Sequence, residues 1–210
     1  MRHLAFLSLL MTACSSCAGT LPAIEIPLEV RDYQVSYRVS TTCLLGGSAG
    51  SAVAVGPRHL LTAKHVVDCP DGLEPIQLLI VAMDGTQLEV KVDLLPKDDT
   101  DAARLVLLEG SLDSWASVSS REPPLGEEVC IIGGDQPSTL GMRKCGYVAP
   151  SISGYLTVAL HVVPGNSGGP AFDAYGRVLG IVSKGSWEAS RENYVLLVPG
   201  SKLGQLVMVN

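Results

Sequence analysis

About a dozen short apolar segments, each ended by turn-forming residues, constrain the fold of this chain more than any other feature. Residues 35–39 alternate polar and apolar side chains with the period of two that is typical of a strand. Asp84-Gly85 stands between the apolar segments 76–83 and 88–95, which is a β-hairpin signal. The 210 residues include 22 Gly and 13 Pro, and only 17% are charged, so long amphipathic helices are not expected.

The segments fall into two sets, because the pattern is lost over residues 111–125. This arrangement predicts an all-β fold of two small antiparallel six-stranded barrels, at about 29–112 and 124–200. A short helix over 201–207 is expected to follow the second barrel. The predicted strands are 35–39, 50–55, 59–62, 76–83, 88–95 and 105–108 in the first set, and 129–132, 142–148, 155–162, 170–172, 178–183 and 194–198 in the second.

Composition and charge exclude several classes of protein. Hydrophobic residues make up 47% of the chain, which is not the composition of a disordered protein. No apolar run reaches the ~18–20 residues of a membrane-spanning helix. The net charge is −6 without a cluster of Lys and Arg, so no nucleic-acid partner is expected. No metal site is expected either, since the sequence has no His and Cys spacing typical of zinc.

The first 13 residues have the organisation of a signal peptide. A basic start, Met1-Arg2-His3, precedes an apolar stretch over 4–11. The ending Leu-Met-Thr-Ala before Cys14 resembles a bacterial lipoprotein signal, in which that Cys receives lipid. We therefore expect a lipid-anchored protein of the bacterial cell envelope, with residues 14–28 as a tether and the folded domain over 29–210. The alternative is an ordinary signal peptide and a secreted protein.

The segment 164–170, Pro-Gly-Asn-Ser-Gly-Gly-Pro, places Ser167 among glycines. Such a backbone can bend sharply, present a hydroxyl and direct bare N–H groups at one point. A serine nucleophile needs a base, and His65 follows an apolar strand segment. Asp101 adjoins the next apolar strand and is the candidate for an orienting acid, whereas Asp98 and Asp99 are typical of a solvated turn. The alternatives are a glycine-rich turn, a structural histidine and an acidic surface turn.

The order of these residues along the chain distinguishes between hydrolase folds. The order Ser, acid, His of the α/β-hydrolases is excluded, because no His follows Ser167. The order Asp, His, Ser would require Asp32 as the acid, and the chain lacks the strand–helix alternation of that fold. The order His65, Asp101, Ser167 is that of the chymotrypsin type.

Five segments together resemble the trypsin-like (chymotrypsin-fold) serine proteases, especially the bacterial HtrA/DegP-like branch. The resemblance covers residues 40–200 and implies an active site between two barrels, a protein or peptide substrate, an endopeptidase reaction and no cofactor. Arg104 stands where the family usually has an apolar residue. The segments, in the order of the family, are 50–55 (GSAVAV), 61–67 (LTAKHVV), 101–105 (DAARL), 165–170 (GNSGGP) and 180–185 (GIVSKG).

The resemblance also implies a role for individual residues. Ser167 is the expected nucleophile, His65 the general base and then acid, and Asp101 the residue that orients it. The N–H groups of Gly165 and Ser167 are expected to form the oxyanion hole. The strand that pairs with the substrate backbone is expected to contain Ser183, Lys184 and Gly185.

One histidine bears on substrate specificity. His161 precedes Ser167 by six residues, on a segment that by resemblance lines the pocket for the residue before the scissile bond. A histidine there would favour an acidic side chain, and the alternative is a pocket-wall histidine without substrate contact. Because no acid is near, cleavage after Lys or Arg is not expected.

The cysteines suit an oxidising compartment. By resemblance, the loop that carries the catalytic histidine is often held by a disulfide, which suggests Cys43–Cys69. Cys130 and Cys145 lie on neighbouring predicted strands and are candidates for a second pair. Free buried thiols remain the alternative for both pairs.

Two further functions are compatible with the same fold. One is a catalytically inactive binding lipoprotein, and the other is an esterase-type acyl hydrolase that uses the same three residues. HtrA-like relatives carry a PDZ domain after the protease, but only ten residues follow Gly200 here, so no PDZ domain is expected. The sequence does not indicate an oligomeric state.

Overall fold

The structure is a computed structural model that describes residues 28–82, 84–96, 98–134, 143–185 and 193–207. Within these ranges the chain forms two closed six-stranded antiparallel barrels, as the sequence predicts. No helix among the described residues is long and apolar enough to cross a membrane. The predicted signal peptide, Cys14 and most of the tether lie outside the described residues.

The first barrel has the strand order β1-β2-β3-β6-β5-β4. Alternate residues along its strands point inward, so that Val39, Ile80 and Leu105 are completely buried in its core. The longest pairing joins β1 and β2, which face each other from Ser36 and Val53 to Cys43 and Gly46. The strands are β1 (Ser36–Cys43), β2 (Gly46–Ala54), β3 (His59–Thr62), β4 (Gln77–Val81), β5 (Gln87–Leu94) and β6 (Ala103–Leu107).

The second barrel has the strand order β10-β11-β12-β9-β8-β7. Val129, Val158 and Leu197 are buried in its core. Its strands begin after an irregular connection, in which Val118 forms a parallel bridge with Val178 of this barrel. The strands are β7 (Glu128–Ile131), β8 (Lys144–Ile152), β9 (Tyr155–Ala159), β10 (Pro170–Phe172), β11 (Val178–Gly185) and β12 (Tyr194–Pro199).

The sequence pattern predicts no element before the strand at 35–39, but a helix, α1 (Leu28–Gln34), precedes β1. This helix is held by contacts with the second barrel that are distant in sequence. The hydroxyl of Tyr33 accepts the N–H of Arg143 at 3.0 Å, and the carboxylate of Asp32 lies 3.6 Å from Nε of the same arginine. A local pattern of polar and apolar residues does not report such contacts.

The predicted C-terminal helix is present as α3 (Gly200–Val207), and it explains the unusual Arg104. Leu203 and Leu206 are completely buried in the cluster of apolar residues that fills the first barrel. Arg104, which is 6% exposed, donates from Nη1 to the carbonyl of Leu206 at 2.9 Å and from Nε to Asp93 at 2.7 Å. The guanidinium therefore joins the end of α3 to the first barrel.

Each barrel contains one disulfide, and the pairs are those expected. Cys43 at the end of β1 is joined to Cys69, 26 residues later. Cys130 and Cys145 face each other in the register of β7 and β8 and are also joined. The first disulfide therefore connects the end of a strand to the loop after residue 67, whereas the second connects two strands that are already paired.

Candidate active site

His65 lies on a one-turn helix, α2 (Lys64–Val67), directly after β3. The helix is held by its next two residues, Val66 and Val67, which are buried. The carbonyl of Val66 accepts hydroxyl groups from Thr41 at 2.7 Å and Ser48 at 2.5 Å. The imidazole itself is about half exposed (48%) and can meet a substrate.

Asp101 contacts His65 twice. Its Oδ2 atom lies 2.8 Å from Nδ1 of His65, and its Oδ1 atom accepts the backbone N–H of the same residue at 3.0 Å. The hydroxyl of Ser183 on β11 donates to Oδ2 at 2.6 Å. Burial opposes ionisation of Asp101, but the hydrogen bonds from His65 and Ser183 outweigh it and hold the pKa of this carboxyl below its usual range.

The neighbouring acids occupy a different environment. Asp98 and Asp99 are exposed, and Asp98 accepts the N–H of Thr100 at 3.1 Å in a local turn. Hydrogen bonds from the hydroxyl and from the backbone N–H of Thr100 lower the pKa of Asp98. Of the three acids predicted near this strand, only Asp101 reaches the histidine.

Ser167 follows a tight turn over residues 163–166. The N–H of Asn166 donates to the carbonyl of Val163 at 3.1 Å, and the side chain of Asn166 accepts the N–H of Val163 at 2.9 Å. Gly165 has a φ of 97° in this turn, a conformation that favours glycine. Asn166 is 2% exposed, so its side chain is a buried support of the turn.

The segment around Ser167 packs directly against the elements that carry His65. A Cβ on Gly50 would stand 2.7 Å from both the carbonyl oxygen of Ser167 and a methyl of Val66. A Cβ on Gly168 would stand 2.7 Å from the backbone nitrogen of Ala63, two residues before His65. The absence of side chains at these two glycines allows the serine segment to approach α2.

Ser51, which the sequence analysis did not single out, connects the two barrels at this point. Its N–H donates to the carbonyl of Ser167 at 2.7 Å, and its hydroxyl donates to the carbonyl of Gly165 at 2.7 Å. The same hydroxyl accepts the N–H of Gly134 at 3.0 Å. Ser51 is 1% exposed. The sequence signal for this role was a small polar residue at one end of the apolar segment 50–55.

The two N–H groups assigned to the oxyanion hole differ from their neighbours. The N–H groups of Asn166, Gly168 and Gly169 donate to backbone carbonyls. Among the hydrogen bonds of the described residues, those of Gly165 and Ser167 donate to no acceptor. Two donors without an acceptor therefore flank Asn166 and are available to a substrate atom.

The remaining predicted binding residues lie in two places. Lys184 lines a cavity with His65, Asp101, Ser183 and Tyr155, and its ammonium lies 5.7 Å from the centre of the Tyr155 ring. Gly185 follows it at the end of β11.

His161 is exposed in a shallow recess lined also by residues 159, 160, 193 and 194, and this recess contains none of the predicted catalytic residues.

One group of possible metal ligands occurs among the described residues, and it is not available for an ion. Donor atoms of Glu128, Cys130 and Cys145 lie within 4.8 Å of one another, but the two sulfur atoms are joined in a disulfide.

Comparison with known proteins identifies the family of this chain. A family model of the trypsin-like peptidase domain matches residues 50–181, which is more than half of the chain. The chain therefore belongs to the trypsin-like peptidase family, whose activity is peptide-bond hydrolysis.

One curated relative, the uncharacterized protein y4bJ of Sinorhizobium fredii, is 31% identical over 146 residues. The match covers 65% of this chain and 22% of y4bJ, so the chain spans about a fifth of that relative.

Solved structures of the Rv3671c protease from M. tuberculosis are similar in fold. The active form superimposes with a TM-score of 0.70 over 86% of this chain and 82% of that chain, and the inactive form with 0.68 over 86% and 91%. Both are 20% identical to this chain.

Proposed function

We propose that the chain is a serine endopeptidase that cleaves peptide bonds through an acyl-enzyme formed on Ser167. The observation that carries this proposal is the double contact of Asp101 with His65, beside the glycine-rich segment of Ser167. A proton on Nδ1 of His65, held by the carboxylate, leaves the lone pair of Nε2 for the serine hydroxyl.

In the first half of the reaction, Oγ of Ser167 attacks the carbonyl carbon of the substrate while His65 takes the hydroxyl proton. The negative charge that develops on the carbonyl oxygen is stabilised by the N–H groups of Gly165 and Ser167. His65 then gives its proton to the amide nitrogen. The C–N bond breaks, the amine product leaves and an ester with Ser167 remains.

In the second half, water replaces the amine. His65 takes a proton from the water, whose oxygen attacks the ester carbon. The bond to Oγ of Ser167 then breaks, and the serine recovers its proton from His65. The ionised Asp101 stabilises the imidazolium in both halves, which agrees with the lowered pKa of its carboxyl.

Ser167→Ala is the decisive test. We expect kcat for peptide hydrolysis to fall by roughly 10⁶, because the three residues act as a unit. A fluorophosphonate probe should label the wild type and not the variant. Ser120→Ala, which removes an exposed hydroxyl from the connection between the barrels, is the control and should behave as the wild type.

The same assays distinguish the two alternative functions. Labelling of Ser167→Ala at the wild-type rate would contradict the assignment of the nucleophile. Turnover of esters without turnover of peptides would indicate an acyl hydrolase. A wild type that neither reacts with the probe nor cleaves any substrate would indicate a binding protein.

We also propose that Cys14 carries a lipid that anchors the protein in the bacterial envelope. Two or more acyl chains are needed for stable anchoring. Mass spectrometry of the N-terminal peptide should detect the lipid on the wild type and on Cys17→Ala, but not on Cys14→Ala. An unmodified wild-type peptide in the soluble fraction would instead indicate secretion.

A further inference from the structure

Four large aliphatic side chains are exposed near one another on the first barrel. Leu44 and Leu45, in the turn between β1 and β2, are 66% and 72% exposed. Leu73 and Ile76, in the loop before β4, are 59% and 67% exposed. We call these four residues the aliphatic patch. Single exposed apolar residues are ordinary, but a contiguous group is typical of an interaction surface.

Two contacts hold the turn and the loop side by side. The disulfide between Cys43 and Cys69 joins the residue before the turn to the start of the loop. The N–H of Ile76 donates to the carbonyl of Thr42 at 2.8 Å, one residue before that disulfide. The aliphatic patch is therefore a fixed feature of the fold.

The patch lies at the beginning of a strand edge that leads to Ser167. β2 pairs with β1 along its whole length, but with β3 only through residues 52–54. Among the described strands, none pairs with the other edge of residues 46–50. The N–H of Ser51, the next residue, donates to the carbonyl of Ser167 at 2.7 Å.

The distance along this edge fits a polypeptide substrate. At roughly 3.3 Å per residue, Leu45 lies about 20 Å from Ser51 along β2, which an extended chain covers in about six residues. An unpaired strand edge accepts such a chain as an additional strand. If the acyl half of the substrate pairs with residues 183–185, the leaving half continues past Ser167 on the side of β2.

We propose that the aliphatic patch binds apolar side chains of the substrate about four to six residues after the scissile bond, at the spacing just given. The inference rests on the proposed peptidase function and specifies its substrate: a polypeptide with an aliphatic segment on the leaving side, in preference to a short peptide. Leu73 and Ile76 also line a groove with Leu95 and Leu108, which gives the bound segment further apolar surface.

The test uses three fluorogenic peptides with the same sequence up to the scissile bond. One ends two residues after that bond, and two extend for eight residues with either leucines or serines at the fourth to sixth positions. The wild type should cleave the leucine peptide with a kcat/KM about tenfold above that of the serine peptide, mainly through KM. The Leu44→Ser/Leu45→Ser variant should lose this preference and cleave the short peptide normally.

Leu125→Ser is the matched control, because Leu125 is 69% exposed and lies in the connection between the barrels, outside the patch. It should keep the tenfold preference. Anisotropy of the same peptides labelled with a dye, measured with Ser167→Ala, reports binding without hydrolysis. Tighter binding of the leucine peptide should disappear when Leu44→Ser/Leu45→Ser is added to that variant.

The outcomes separate this inference from the function on which it rests. Absence of any peptide cleavage contradicts the peptidase proposal, while the binding measurement still decides on the patch. Equal kcat/KM values for the leucine and serine peptides, or a preference that survives in Leu44→Ser/Leu45→Ser, overturn the inference. A wild-type dimer that this variant converts to a monomer, or binding to lipid vesicles that the variant loses, would assign the patch to another occupant and also overturn it.

Discussion

The two barrels contribute to the site by different physical means. In the first barrel, His65 and Asp101 contact each other directly through two hydrogen bonds, at 2.8 and 3.0 Å. In the second, Ser167 directly follows a turn whose position depends on contacts with the other barrel, above all with Ser51. The acid and base are thus joined within one barrel, whereas the nucleophile is placed by the interface between the two.

This difference indicates which substitutions should remove a group that takes part in the reaction and which should only displace such a group. A change to Asp101 removes a group that touches the base. A change to Ser51 removes no reacting group, but it removes a hydrogen bond that supports the turn before Ser167. The predictions below test this distinction, beginning with the largest expected effect.

Asp101→Asn should lower kcat by roughly 10⁴, because an amide in place of the carboxylate favours the wrong tautomer of His65. The measurement is steady-state hydrolysis of a peptide substrate. Asp98→Asn and Asp99→Asn are the controls and should change kcat little, since both side chains are exposed. A larger loss of kcat in either control than in Asp101→Asn would assign the orienting role to that acid instead of Asp101.

Removal of the disulfides should distinguish the barrels by stability and activity. By loop entropy, Cys43→Ser/Cys69→Ser should lose about 3.5 kcal/mol and Cys130→Ser/Cys145→Ser about 3 kcal/mol of unfolding free energy. Only the first change loosens the chain next to α2, so only it should also reduce kcat/KM at 25 °C. Denaturant unfolding and peptide hydrolysis measure the two effects. An equal loss of kcat/KM in both variants would contradict the prediction that only the first disulfide supports the active site.

Ser51→Ala should lower kcat by roughly 10 to 100-fold with little change in KM, because small displacements of a reacting group are costly. The variant leaves the carbonyl of Gly165 and the N–H of Gly134 without their hydroxyl partner. Ser40→Ala, a half-buried serine on β1, is the control. If the fluorophosphonate probe labels Ser51→Ala as fast as the wild type, the interface does not position the nucleophile through this hydroxyl.

Asp32 should make the docking of α1 sensitive to pH. Burial raises the pKa of this carboxyl to about 6, although Arg143 and Arg31 oppose the rise. The unfolded chain binds this proton more weakly, so stability is greater at pH 5 and falls as the pH rises through 6, by about 1 kcal/mol between pH 5 and pH 7. Asp32→Asn should remove this part of the pH dependence of Tm. An unchanged slope would show that the carboxyl is already ionised in the folded state.

The local sequence pattern was sufficient to predict where the strands lie, because alternation of buried and exposed residues is a property of each strand alone. β3 and β10 have the predicted bounds, and most other strands differ by a few residues at their ends. β2 begins four residues earlier than predicted, since its pairing with β1 continues through the small residues 46–49. Such residues carry no hydrophobic signal, and only the partner strand extends the pairing.

The sequence by itself determined the two sets of strands and the order His65, Asp101, Ser167, because each depends on residue type and spacing. The resemblance suggested the pair Cys43–Cys69, and the predicted strands made Cys130 and Cys145 candidates for the second pair. The sequence favoured Asp101 over Asp98, and the tertiary structure shows that Asp101 contacts His65. Only the tertiary structure decided that Ser51 supports the turn of Gly165 and that Arg104 holds the end of α3. These contacts join residues 36 to 114 positions apart. Their partners are brought together by closure and packing of the barrels, which no local pattern encodes.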